Sequence, residues 1–272
     1  LCGFLLTAMV WVVFSAFGMI PFILSDININ VSDAFFEAMS GFTTTGASVI
    51  DNNAALSHAV HMWRSLMQWI GGMGIILFTL AVLPMLNSSG GMQMFNAEVT
   101  GITHEKLRPR VSSTAKRLWL VYTLLTVLLG FLYWIGPMGA FDSLCHAFST
   151  MSTGGFSTHA DSIGAWNSLY IKIVTTVFMF IGGVNFALIF KLSTGHVRSV
   201  WQNETFRLYL MLILSVFVFF DVALLINSSV TTDWESLTID PLFQIISIMS
   251  STGYLVEGSE NWGNAIFSVT LL

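Results

Sequence analysis

The chain has 272 residues, of which 54% are hydrophobic and 9% charged, with a formal net charge of −5; its mean hydropathy is +0.76. A soluble domain carries about 25% charged residues, so this composition excludes a water-soluble globular fold and places the chain in a bilayer. Two cysteines, Cys2 and Cys145, supply neither a disulfide framework nor a metal-ligand spacing.

Residues 1–24 hold no charge and are long enough to cross a hydrocarbon core of about 30 Å. Residues 33–48, DAFFEAMSGFTTTGAS, follow and are too short to cross; residues 65–86 then span again. The order repeats with a span at 118–138, a half-span at 142–157 (DSLCHAFSTMSTGGFS) and a span at 173–190. A third round has a span at 208–226, a half-span at 240–255 (DPLFQIISIMSSTGYL) and a span that starts at 262. The expected units are therefore 1–86, 118–192 and 208–272, joined by connections at 87–117 and 193–207. The fold class is an all-α polytopic membrane protein of repeated span–pore helix–span units. The sequence starts without Met and stops inside an apolar run, as a piece of a longer chain would, and no signal peptide is visible.

The three half-spans align without gaps, which makes the repeat the organising signal. Each opens on Asp (Asp33, Asp142, Asp240), carries Ser seven residues on (Ser40, Ser149, Ser247) and Gly thirteen residues on (Gly46, Gly155, Gly253). Between them stand paired hydroxyls: Thr43 and Thr44, Ser152 and Thr153, Ser250 and Ser251. A segment that enters the membrane and turns back is tolerated only inside protein or along a watery path. The pattern predicts a re-entrant pore helix with the Asp as N-cap, or alternatively as an attractor of cations at the mouth. Pro241 suits the first helical position. Several helix C-termini aimed at one point favour a cation there, and Gly lets consecutive carbonyls face a common axis, as in carbonyl-lined ion filters. Three such units do not close a four-fold ring, so a fourth is expected roughly 100 residues past Gly253. The spans share Ile70–Gly71–Gly72 and Ile181–Gly182–Gly183, read as sites of close helix packing or as hinges.

Basic residues concentrate in the two connections: Lys106, Arg108, Arg110, Lys116 and Arg117 in the first, and Lys191, Arg198 and Arg207 in or beside the second. The half-spans and their flanks carry most of the acids. The positive-inside rule therefore puts the connections in the cytoplasm and the half-spans outside.

At the motifs FFEAMSGFTTTGAS, HAFSTMSTGGFSTH and SIMSSTGY the chain resembles the Trk/Ktr/HKT superfamily of cation transporters, of the bacterial TrkH/TrkG type. The stretches VLPMLNSSGGMQMFNAEVTG and EKLRPRVSSTAKRLW resemble the same branch. The resemblance implies four fused units around a pseudo-four-fold pore, a homodimer in the bacterial inner membrane, and a cytosolic nucleotide-binding ring of the TrkA type. It implies inward passage of K+, driven by the membrane potential or by symport, with no organic cofactor and no nucleic-acid partner. The ion ligands it implies are the carbonyls around Thr44, Thr45 and Gly46, then Thr153, Gly154 and Gly155, then Ser251, Thr252 and Gly253. Gly46 corresponds to the position where sodium-preferring plant relatives carry Ser. The basic run from Lys106 to Arg117 is either a topology or lipid signal or the docking site of the regulatory ring. A gating loop and a pore-facing Arg of the family would fall past Leu272, and further spans before residue 1.

The remaining polar residues are less specific. His58 and His61 lack the zinc-protease pattern, and His146 and His159 are read as packing or mouth residues or as proton carriers. Asp221, an acid inside a span, either serves the ion path or bonds a neighbouring helix. No nucleophile–base or metal-ligand constellation indicates an enzyme. A sodium-permeable or cation-coupled transporter of the same fold and a non-transporting scaffold are the alternative readings.

Overall fold

The computed structural model describes residues 2–25, 27, 29–50, 56–88, 111–193, 195–226 and 234–256, and every regular element among them is helical. The first expected span forms two pieces, α1 (Cys2–Gly18) and α2 (Ile20–Leu24). Pro21 offers no amide and its ring crowds the carbonyl one turn back, so a continuous helix is not formed there. Phe22 N–H donates to Met19 instead, and the Gly18 carbonyl accepts from Trp63 Nε1 at 2.9 Å.

The first half-span is α3 (Val31–Phe42), and α4 (His58–Ser88) contains the 65–86 run. Helix α5 (Val111–Ile135) has 25 residues, and its Lys116–Ile135 part is long and apolar enough to cross a membrane unaided. The second half-span is α6 (Ala140–Met151), followed by a 3-10 turn at Ser162–Trp166. The run expected to span at 173–190 is two helices, α7 (Leu169–Gly183) and α8 (Phe186–Ser193), separated by extended backbone at Val184. Then come α9 (Val197–Trp201), α10 (Glu204–Ile226), a π-helical turn at Glu235–Ile239 and α11 (Asp240–Met249), the third half-span. The span expected from 262 lies outside the described residues, as do Asp51, Asp233, Glu257 and Glu260, while Asp221 lies within α10.

Burial runs opposite to that of a soluble protein. Large apolar side chains on α1, α5 and α10 face outward, Phe17 at 69% and Val127 at 65% exposure among them, whereas Glu37, Gln68, His146, Ser149, Thr150 and Ser247 are wholly buried. Lipid is the medium that makes this arrangement favourable, since apolar surface there costs nothing and polar groups must find partners inside.

Helices α3 and α6 pack on both spans of their own unit and α11 on the first span of its unit; from the second unit on, the half-span also packs on the second span of the unit before, α6 on α4 and α11 on α7. The paired glycines make these contacts possible. A Cβ on Gly71 would lie 1.9 Å from the Phe42 carbonyl oxygen at the end of α3, and one on Gly72 would lie 2.9 Å from Cβ of Ser152 at the end of α6. The second pair repeats this: Gly182 abuts Thr153 and Gly183 abuts Ser250. One glycine of each pair thus meets its own half-span and the other meets the next. The packing expectation holds, with the half-spans as partners and, for Gly72 and Gly183, also the hydroxyls of Tyr122 on α5 and Tyr209 on α10.

Gly71→Ala should lower the thermal midpoint of the detergent-solubilised full-length protein by about 5 °C or more, because backbone cannot give way as a side chain can. Gly74→Ala, whose Cβ would meet only Trp11 at 3.7 Å, is the control and should change little. Equal midpoints for the two variants would contradict the packing account.

Candidate cation filter

The three half-spans end in one local structure. Helices α3, α6 and α11 stop nine residues after Asp33, Asp142 and Asp240, at Phe42, Met151 and Met249. A 6→1 bond then closes each end: Thr45 N–H donates to Ser40 O at 3.0 Å, Gly154 N–H to Ser149 O at 2.8 Å, and Thr252 N–H to Ser247 O at 2.8 Å. The 5→2 bond inside it runs from Thr44 to Gly41, Thr153 to Thr150 and Ser251 to Ile248. These two bonds define a Schellman motif, which places one residue in the left-handed region, normally Gly. Here that residue is Thr44 (φ 56°), Thr153 (φ 52°) or Ser251 (φ 61°). A side chain in this region, Thr above all, costs on the order of 1–2 kcal/mol. The same strain recurs in all three units, so the surrounding fold holds it in place. Two residues on, Gly46, Gly155 and Gly253 sit at φ 77°, 77° and 78°, where Gly is the natural occupant.

In the first and third units the buried Ser also reaches forward. Ser40 Oγ donates to the Ala47 carbonyl, and Ser247 Oγ donates to the Tyr254 carbonyl at 2.8 Å. Each ties the strand leaving the turn back to its own helix.

The turns lie against one another through backbone. A Cβ on Gly46 would fall 2.1 Å from the Gly154 carbonyl oxygen, and one on Gly155 would fall 1.8 Å from the Thr252 carbonyl oxygen. Thus the glycines of the first and second units each face the carbonyl just before the glycine of the following unit. Helix C-terminal ends, hydroxyls and carbonyls meet in one place, where the helix dipoles favour positive charge.

Behind the turns runs a belt of polar ties. Glu37 accepts from Arg64 Nε at 2.8 Å and Nη2 at 2.7 Å, from Ser48 Oγ at 3.1 Å and from Val49 N–H at 3.2 Å. The Arg64 guanidinium also lies 4.2 Å from the ring centroid of Phe156 in the second unit. His146 occupies the Glu37 position of that unit, and its Nε2 meets Ser157 Oγ, the counterpart of Ser48, at 3.0 Å. Gln244 holds the place in the third unit, its Oε1 buried with no hydrogen-bond partner among the described residues. Lys172 joins the second unit to the third through Asp240 at 2.8 Å and Glu235 at 2.9 Å. Gln68 Nε2 donates to the Gly154 carbonyl at 2.6 Å, so one of the expected ion-ligand carbonyls accepts a side-chain hydrogen bond from the preceding unit.

The Asp residues are not N-caps. The caps of α3 and α6 are Asn30 and Gly139, in extended backbone, and Asp33 and Asp142 stand at the third helical position. One more helical turn forms than the sequence pattern marks, and a carboxylate in the first turn still faces the free amides. Asp142 accepts from Thr158 Oγ1 at 2.7 Å. Asp240 follows a turn that is already helical, so no free amides await a cap and its carboxylate goes to Lys172. Lys106, Arg108 and Arg110 lie outside the described residues, while Lys116 and Arg117 are exposed near the start of α5.

A family model described as TrkH, cation transport protein, matches residues 2–271. The chain belongs to the TrkH family. It is 38% identical over 263 residues to the Trk system potassium uptake protein TrkH of Salmonella typhimurium, over 96% of this chain and 54% of that protein. It is 37% identical over 219 residues to TrkG of Escherichia coli, over 79% of this chain and 45% of that protein. The crystal structure of the potassium transporter TrkH from Vibrio parahaemolyticus superposes with a TM-score of 0.87 at 36% identity, covering 99% of this chain and 55% of that one. The chain thus has the all-α polytopic membrane fold of this family and spans about half the length of the relatives it matches.

Sequence reasoning missed Gln68, the Glu37–Arg64 pair and the Lys172 junction. The signal for the first pair was present, since Glu37 and His146 share a register and each is followed eleven residues on by Ser. Removing one partner of a buried ion pair leaves the other charge unpaired, at a cost of about 3–5 kcal/mol. Arg64→Met should therefore lower the thermal midpoint strongly, and Arg64→Met with Glu37→Gln should recover most of the loss. A double variant as unstable as Arg64→Met would show that the pair is not the cause.

Proposed function

We propose that this chain forms three quarters of a potassium-selective pathway, as part of the pore-forming subunit of a Trk-type uptake system. The observation that carries the reading is the recurrence of one strained turn in three units, with the glycine of the first laid against a carbonyl of the second and that of the second against a carbonyl of the third. A site built from backbone oxygens at helix C-termini suits a weakly hydrated monovalent cation, because carbonyls substitute for its water shell. The ion is held by the carbonyls around Thr44, Thr45 and Gly46, Thr153, Gly154 and Gly155, and Ser251, Thr252 and Gly253. A fourth unit, carried by the part of the full chain that lies past residue 272, completes the ring.

In the same reading the half-spans open to the outside and the basic connections lie in the cytoplasm. The charge pattern supports this orientation. The subunit pairs with a second copy, and Lys106, Arg108, Arg110, Lys116 and Arg117 form the docking surface for a nucleotide-binding ring of the TrkA type. The relatives named as potassium uptake proteins support the choice of ion.

Gly46 is the residue on which selectivity turns, since its left-handed backbone and its contact with the Gly154 carbonyl both oppose a side chain. Gly46→Ser in the full-length protein should displace two turns at once and lower K+ preference over Na+ by about tenfold, or ~1.4 kcal/mol. Uptake of both ions by a bacterium lacking its own K+ systems is the measurement. An unchanged ratio would count against the filter assignment, and failure of the unaltered gene to restore growth at low K+ would overturn the transport reading.

A further inference from the structure

The second turn departs from the other two at the residue before its common glycine, which is Gly154 where the first and third turns carry Thr45 and Thr252. Its backbone does not require glycine, because the left-handed angles fall at Thr153 and Gly155 on either side. Space requires it. A Cβ on Gly154 would lie 2.3 Å from Cδ of Gln68, with Oε1 and Nε2 at 2.6 and 2.7 Å. Gln68 comes from α4 of the preceding unit and is wholly buried. Its Nε2 donates to the Gly154 carbonyl at 2.6 Å, and Phe156 N–H donates to its Oε1 at 3.2 Å. One side-chain amide thereby grips the strand on both sides of Gly155.

The other turns secure the same residue from within. Thr45 shares a hydrogen bond of 2.8 Å with Thr43, and Thr252 shares one of 2.7 Å with Ser250. Gly154 has no hydroxyl to offer, and Ser152 Oγ donates back to the Phe148 and Ser149 carbonyls. In the next spanning helix the residue three before the glycine pair is Met179, fully buried and apolar, where α4 has Gln68. Glutamine thus accompanies a glycine in the turn that follows, and methionine accompanies a threonine.

We infer that Gln68 is the positioning residue of the second filter turn, supplying from the neighbouring unit the tie that Thr45 and Thr252 supply themselves, and that ion discrimination depends on it. The inference rests on the filter reading above. An amide bonded at both ends inside a low-dielectric site holds a backbone geometry that its loss would release.

The test compares the unaltered full-length chain with Gln68→Ala, Gly154→Thr and the double variant. Two readings are taken: the K+ to Na+ uptake ratio, and the thermal midpoint of purified protein in KCl against NaCl. Gln68→Ala should lower the uptake ratio about tenfold and erase the K+-specific thermal shift. Gly154→Thr alone should accumulate poorly, because its side chain meets Gln68. The double variant has both the room and the hydroxyl, and should return to within about twofold of the unaltered ratio. An unchanged Gln68→Ala, or a double variant no better than that single change, overturns the inference. If Gln68→Ala does not reach the membrane, recovery of protein and of discrimination in the double variant supports the inference, and their absence overturns it. If the unaltered chain moves no K+, the proposed function falls instead, and the K+-specific thermal shift still decides the role of Gln68.

Discussion

Backbone of one half-span lies against backbone of the next, carbonyl to glycine, with no room for a side chain between. Gly46 and Gly155 make these contacts directly, and the rest of the arrangement serves to bring the turns that close. Helix ends cannot approach so nearly unless the spans behind them also lack side chains, which is what Gly71, Gly72, Gly182 and Gly183 provide. The Schellman bonds stop each helix at the same residue, and the left-handed Thr or Ser turns the chain there. Strain of this kind persists only where packing over-determines it.

Holding several carbonyl-rich turns in register inside a membrane raises an electrostatic difficulty, because polar groups at that depth must be satisfied from within. The solution is a belt of buried ties that cross from unit to unit. Arg64 joins Glu37 of its own unit to the Phe156 ring of the second, and Tyr254 Oη donates to the Phe156 carbonyl at 3.4 Å from the third. Lys172 bridges the second unit to Asp240 and Glu235. The 3-10 turn of the second unit adds Gly164 N–H to Leu255 O at 3.3 Å. Such ties contribute specificity of arrangement more than net stability, since desolvation offsets much of their attraction. Registry between the turns is the property a filter depends on.

Much of this was legible in the sequence because the turn is local. Its defining bonds join residues three and five apart, so the Ser at one end, the hydroxyl pair and the Gly at the other recur in fixed register wherever the turn does. The spans were legible for an equally local reason, their lack of charge. What escaped was set by distance or by packing. Gln68 and Gly154 are 86 residues apart, and nothing near either announces the other except the Gly standing where two sister turns have Thr. The first helical residues were misplaced by a turn at Asp33 and Asp142, because Asn30 and Gly139 take the cap from an extended backbone that the sequence does not mark. The same Ile-Gly-Gly triplet continues as helix in α4 and ends α7, where the Asn185 carbonyl accepts from Leu188 and Ile189 to open α8, so the triplet alone does not mark the break.

The central claim is that a monovalent cation sits between the turns at Thr44–Gly46, Thr153–Gly155 and Ser251–Gly253. A crystal of the full-length protein grown in Rb+, with anomalous scattering used to locate the ion, tests it most directly. The account predicts a peak on the axis these turns surround, within coordination distance of their backbone oxygens, that disappears when Na+ replaces Rb+. Rubidium bound only elsewhere, with no peak between the turns, would contradict it.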